Sequence, residues 1–218
     1  MEYMRPADIE RESMAIIDRE LAERGIVLQP EHATVIKRVI HTTADFHYAK
    51  ALYFTENATD FGVKAIRGGV IVTDTNMARA GIRKSVLQQL GGEVYCYMAD
   101  GAVAAEAKAR GVTRAAVSME RALLEYPHAI FAIGNAPTAL LEIAESIESG
   151  ARPTLVIGVP VGFVNVVESK ERALAVCERY GVPAIIALGR KGGSNVAAAI
   201  CNALLYTAAG MLEPGKRG

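Results

Sequence analysis

Apolar residues recur at roughly helical spacing from Ile9 through Met14, Ile16, Ile17, Leu21 and Ile26, and Gly25 marks the stop. A second run, from about Pro30 to Thr42, sets Ala33, Val35, Ile36, Val39 and Ile40 on one face. The first third of the chain therefore reads as helical. Beyond it the period changes. Short, nearly continuous apolar runs appear: GGVIVTD, EVYCYMA, AIFAIGN, TLVIGVP and AIIALGR. Such runs are expected of strands covered on both faces. Segments of helical length lie between them, including Ala102–Arg110, Thr138–Ser149, Lys170–Tyr180 and Asn195–Thr207. Alternating strands and helices imply right-handed crossovers and a parallel sheet. The pattern predicts an α/β protein: a three-layer, doubly wound sheet of about five parallel strands, preceded by a helical segment.

Composition narrows this picture. With 218 residues, 51% of them hydrophobic, the chain suits one core. A single domain over 1–218 is expected, with 213–218 as a frayed tail. Lysine plus arginine and aspartate plus glutamate both number 24, so there is no basic excess of the kind nucleic-acid binding needs. The N-terminus, MEYMRPADIERE, has no apolar signal core. The longest apolar run, Leu155 to Val167, is interrupted by Gly158, Pro160 and Gly162, too short and too broken for a membrane span. Cys96, Cys177 and Cys201 lack metal-ligand spacing and read as reduced core residues. These features predict a cytoplasmic protein with no nucleic-acid or membrane partner.

In a doubly wound sheet, ligands bind beyond the carboxyl ends of the strands. The unusual loops of this chain fall there: TDTNMARAG, GNAPT, GVPVGFVNVVESK and GRKGGSN. Glycines permit close backbone approach. Pro137 and Thr138 fit a first helical turn whose N–H groups would point into the cleft. Of the four histidines, His32 reads as a surface residue near a helix start, His47 lies in a polar loop, and His128 lies at the mouth of a strand. His41 differs. It ends an apolar helix and is followed by Thr42, Thr43 and Asp45. Imidazole exchanges a proton near neutral pH without a large shift, so His41 is a candidate acid or base as well as a candidate structural histidine. No histidine spacing fits a zinc site. Gly210–Lys216, GMLEPGK, has the spacing of a phosphate loop, but Arg217 replaces its hydroxyl residue and no helix follows. There is no dinucleotide fingerprint.

The strings AIGNAPTAL, GVPVGFVNVVESKE and GRKGGSNVAAAICNAL, in this order, resemble the precorrin-8X and cobalt-precorrin-8 methylmutases. IERESMAII, KRVIHTTAD, VTDTNMARAGI and GVTRAA extend the resemblance from about Ile9 to Leu205. It implies a flavodoxin-like sheet, a homodimer with sites near the subunit interface, and no cofactor or protein-bound metal. It also implies an isomerase of cobalamin biosynthesis that moves a methyl group from C-11 to C-12 of a corrin precursor, giving hydrogenobyrinate or cobyrinate. A corrin carrier without turnover is the alternative.

Carried residue by residue, the resemblance makes His41 the acid that protonates a ring nitrogen, and Ser13, Arg38 and Arg114 substrate contacts. The precursor is a conjugated macrocycle ringed by carboxylates. It needs an apolar slot, for which Met77, Val161, Phe163 and Val164 are candidates, and a cationic rim, for which Arg190 and Lys191 join Arg38 and Arg114.

Overall fold

The computed structural model describes residues 5–216. Two helices lead, α1 (Pro6–Glu23) and α2 (Pro30–Thr43), each with proline in its first turn, where a missing N–H costs nothing. A short α3 (Tyr48–Ala51) feeds strand β1 (Leu52–Phe54), and α4 (Ala58–Ala65) leads to β2 (Val70–Thr73). Then come α5 (Asn76–Gly81), α6 (Lys84–Gln89), β3 (Glu93–Tyr95), α7 (Gly101–Arg110) and α8 (Arg114–Glu125). The chain continues through β4 (Ile130–Ile133), α9 (Pro137–Glu148), β5 (Leu155–Gly158), α10 (Val166–Tyr180), β6 (Ala184–Ala187) and α11 (Ser194–Ala208). A 3-10 turn covers Pro214–Lys216. The end of the expected frayed tail, Arg217 and Gly218, lies outside the described residues.

The strands form one sheet in the order β1-β6-β5-β4-β2-β3. The five predicted strands are all present and parallel, in the flavodoxin-like arrangement. The sixth, β1, was not foreseen. It pairs antiparallel with β6, Leu52 opposite Ala187 and Phe54 opposite Ile185. Three residues carry no readable period, and only the exposed edge of β6 makes Leu-Tyr-Phe a strand.

Successive residues of each parallel strand enter opposite cores. Ile71, Ile130, Ala132, Leu155, Ile157 and Ile185 face one side. Val72, Phe131, Ile133, Val156 and Ile186 face the other, against α8, α9 and α10. On the first side α11 lies on the sheet with 12 of its 15 residues buried. A helix apolar all round needs cover on all sides, and α2, α4 and α5 pack around it. The N-terminal helices are thus an added outer layer: α2 packs on α11, and α1 packs on α2. Among the described residues no helix is long and apolar enough to cross a membrane.

Candidate active site at the carboxyl rim of the sheet

The chain order reverses between β2 and β4, so the loops beyond these two strands part and leave a crevice. Asp74, the residue after β2, fills its floor and is 1% exposed. One carboxylate oxygen accepts the Gly134 N–H at 2.8 Å. The other accepts those of Asn135 at 2.8 Å and Ala136 at 2.7 Å. Burial pushes this carboxyl above its ordinary range, and the three N–H bonds pull in the opposite direction. The sequence reading concerned the first turn of the helix at Pro137 and Thr138 and did not treat the turn before it, Gly134–Ala136. The N–H groups of that turn point at Asp74, because a fully buried carboxylate needs donors more than open water-facing groups do.

The neighbouring loops lock onto this turn. Thr75 caps α5 by accepting the Ala78 N–H, and its hydroxyl lies 2.7 Å from that of Ser194 at the start of α11. A Cβ on residue 134 would sit 2.7 Å from the Cα of Ser194, and one on residue 192 only 2.1 Å from the Val159 carbonyl oxygen. Glycine is required at both places by backbone approach. Below the loop after β6 lies Lys170, fully buried on α10. Its ammonium donates to the carbonyls of Gly189 and Lys191, both at 2.8 Å. Desolvation lowers its pKa to about 8. Neither Asp74 nor Lys170 figured among the sequence candidates. Lys170 carried a signal, since it falls on the stripe of Val166, Ala173, Val176 and Cys177 that α10 buries.

Three of the four sequence-predicted site residues lie on the side of α1 and α2. His41 is exposed in the last turn of α2. Four residues later Asp45 forms an ion pair with Lys191, tying the end of α2 to the rim loop after β6. The Lys191 ammonium holds the Asp45 carboxyl below its usual range. Arg38, one turn before His41, pairs with Glu10 of α1 and lies over the Tyr206 ring at 5.3 Å. Ser13, a turn beyond Glu10, donates to the Ile9 carbonyl of its own helix. Arg114 lies on the other side of the sheet. It opens α8 beside Thr113, whose hydroxyl caps that helix and bonds to Thr138 in the first turn of α9. The start of α9 is therefore tied to the residue before Arg114, and the rim loop after β6 is tied to the segment that follows α2.

The candidate slot residues Met77, Phe163 and Val164 are 72%, 82% and 78% exposed. That is a bare apolar surface on the rim of this chain. Arg190 lies over Phe163 at 5.6 Å, while the charges of Arg38 and Lys191 are already met by carboxylates. Two readings need correction. His32 is not a surface residue: its ring stacks on Phe54 at 3.9 Å and its Nδ1 lies 3.0 Å from the Thr59 hydroxyl, and burial lowers its pKa. Cys96 is only half-buried, whereas Cys177 and Cys201 are buried, their thiols pushed up to about 12 by desolvation.

A doubly wound domain whose rim carries an exposed histidine, arginines and bare apolar side chains has the makings of an enzyme for a large, flat, anionic ligand. Its relatives are consistent with that class. Residues 8–207 match the family precorrin-8X methylmutase. The chain is 44% identical to the cobalt-precorrin-8 methylmutase of Salmonella typhimurium strain LT2, covering 94% of this chain and 98% of that one. It is 43% identical to that of Priestia megaterium over 92% and 88% of the two chains. It is 38% identical to the precorrin-8X methylmutase of Pseudomonas aeruginosa over 94% and 97%. The crystal structure of precorrin-8X methylmutase from Thermus thermophilus superposes with a TM-score of 0.83 at 40% identity, covering 93% of this chain and 96% of the other. The chain belongs to the precorrin-8X methylmutase family and is an isomerase of cobalamin biosynthesis.

Proposed function

We propose that this protein moves the methyl group of cobalt-precorrin-8 from C-11 to C-12, giving cobyrinate, with His41 as the acid. The mechanism needs little from the protein. The shift is an intramolecular rearrangement, so no group enters or leaves. Proton donation by the His41 imidazolium withdraws electron density from the conjugated system while the C-11 bond breaks and the C-12 bond forms; in a metal-free precursor the proton goes to a ring nitrogen, and in the cobalt form, where the nitrogens ligate the metal, it goes to the conjugated carbon framework. Return of the proton to the imidazole restores the enzyme. The observation that carries this reading is the position of His41: exposed at the end of α2, beside a rim loop held in place by Asp45 and Lys191. Imidazole, with a reference pKa of about 6.5, suits such a transfer near neutral pH.

Ser13, Arg38 and Arg114 are assigned to the acetate and propionate groups of the ring. Arg38 is available if a ligand carboxylate displaces Glu10. The cobalt form is favoured because relatives named for it share 40–44% of their residues with this chain, against 35–40% for the relatives named for the metal-free form. We further propose one domain acting in the cytoplasm as a homodimer. Within one chain Arg114 and Arg38 lie on opposite faces of the sheet, and the apolar rim is bare, so a second copy would complete the slot. Full activity of a monomer at nanomolar concentration would overturn the dimer.

Incubation with metal-free and cobalt-bound substrate tests the reaction. Isomerisation changes the absorption spectrum and leaves the mass unchanged. Tight binding of product without turnover of either substrate would reduce the protein to a carrier.

A further inference from the structure

The switch-point crevice is where doubly wound proteins receive their ligands, commonly anionic ones, on backbone N–H groups at the start of a helix. In this chain the turn after β4 offers three such groups converging on one point, followed by the twelve residues of α9. The anion they hold is covalently part of the protein. Asp74 is 1% exposed, and its two oxygens take all three N–H groups. The next residue, Asn135, is held through its own N–H, yet it is exposed at the rim. Gly134 packs without a Cβ against Ser194, so the turn cannot shift toward α11. Thr138, two residues beyond Ala136, bonds to the cap residue that precedes Arg114.

We propose that Asp74 is a positioning residue: its carboxylate is a built-in substitute for a bound anion, and by holding the turn Gly134–Ala136 it presents the Asn135 amide to the corrin slot. The amide donates to a ring carboxylate beside Arg114. This rests on the corrin reading of the rim. The carboxylate also fills from within a place where doubly wound folds commonly hold phosphate.

The test uses the full chain, cobyrinate as ligand and formate as the probe of the vacated anion position, with chloride at equal ionic strength as control. Cobyrinate affinity is measured well below each variant's thermal midpoint. In Asp74→Ala it should fall about tenfold or more, the loss of one charge-assisted contact, and formate should restore most of it. Formate should also raise the midpoint of this variant. Asp74→Asn should bind about as weakly, with no response to formate, because the amide still fills the space while turning N–H toward N–H. Asn135→Ala should keep the parent's midpoint and lose about tenfold in affinity, and the double variant Asp74→Ala/Asn135→Ala should be no weaker than the poorer single, because both remove the same contact. Parental affinity in Asn135→Ala, or in folded Asp74→Ala or Asp74→Asn, overturns the proposal. If Asp74→Ala does not fold, the other two variants decide. Failure of the corrin reading appears separately, as a parent protein that does not bind cobyrinate. In that case the formate-dependent midpoint of Asp74→Ala alone decides whether the carboxylate replaces an anion.

Discussion

The two edges of the sheet present opposite cases. Beyond the amino ends of the parallel strands lies a depression of about 560 Å³, lined by Tyr53, Thr55, Glu56, Phe61, Glu178 and Pro183 among others. It contains no histidine, arginine or lysine, and its tyrosine is satisfied by Glu178 at 2.7 Å. Beyond the carboxyl ends lie the rim loops. That edge holds both the buried acid and the buried lysine, each bonded to loop backbone, together with bare apolar side chains. A hollow alone points to the amino edge. The site is better located by where the fold buries charge to shape loops, since a buried ionised group costs several kcal/mol unless its partners are in place.

The comparison breaks first at His41. His41→Ala should slow methyl migration by about 10²–10⁴-fold, the usual range for a general acid. The residue is exposed at a helix end, so the thermal midpoint and cobyrinate affinity should stay near those of the parent. Turnover within a few-fold of the parent would remove it as the acid.

Lys170 tests whether the carboxyl edge is built from below. Its folded pKa is lowered to about 8 from 10.5. Between those values the unfolded chain binds more protons than the folded one, so stability contributed through this group rises with pH across that window. The rise is on the order of 3 kcal/mol at most. Below pH 8 the burial cost of the charge is present in full. Above it a neutral amine still has hydrogens for both carbonyls. Denaturant unfolding of parent and Lys170→Met from pH 7 to 10 should show stability rising in the parent relative to the variant, the buried thiols contributing equally to both. Equal slopes would mean that the ammonium is not desolvated as its burial implies.

Arg38→Ala and Arg114→Ala should each weaken cobyrinate binding by about 1.5–3 kcal/mol, with a smaller effect on the bound reaction. Arg38→Ala should also lower stability slightly through its lost pair with Glu10 and its contact with Tyr206, whereas Arg114 is exposed at a helix start and its loss should leave the midpoint unchanged. Unchanged affinity in both would return these arginines to the ordinary surface.

The smallest effect is expected at the amino edge. Tyr53→Phe removes an exposed hydrogen bond to Glu178. It should change stability by less than about 0.5 kcal/mol and leave turnover and cobyrinate affinity alone. A loss of turnover there would show that this hollow takes part in function.

By itself the sequence determined whatever depends on local period. The two-sided apolar runs marked all five parallel strands, helical spacing marked α1 and α2, and segments of helical length marked α7, α9, α10 and α11 to within a few residues, because burial on one face or two leaves its imprint on consecutive side chains. The glycine-rich loops were also legible, since unusual residues at strand ends are a local signal, whereas the proposed role of His41 came from the family resemblance. Only the tertiary structure decided what depends on a partner distant in the chain. Leu52–Phe54 became a strand because β6 had a free edge. His32 was buried because Phe54 arrived to stack on it. The turn after β4 is held by Asp74, sixty residues earlier. Lys170 falls on the buried stripe of its helix, but the partners that hold its ammonium, the carbonyls of Gly189 and Lys191, lie beyond the next strand. A hydrogen bond between groups far apart in the chain leaves no periodic mark, so the residues that shape the rim were the ones that the order of amino acids concealed.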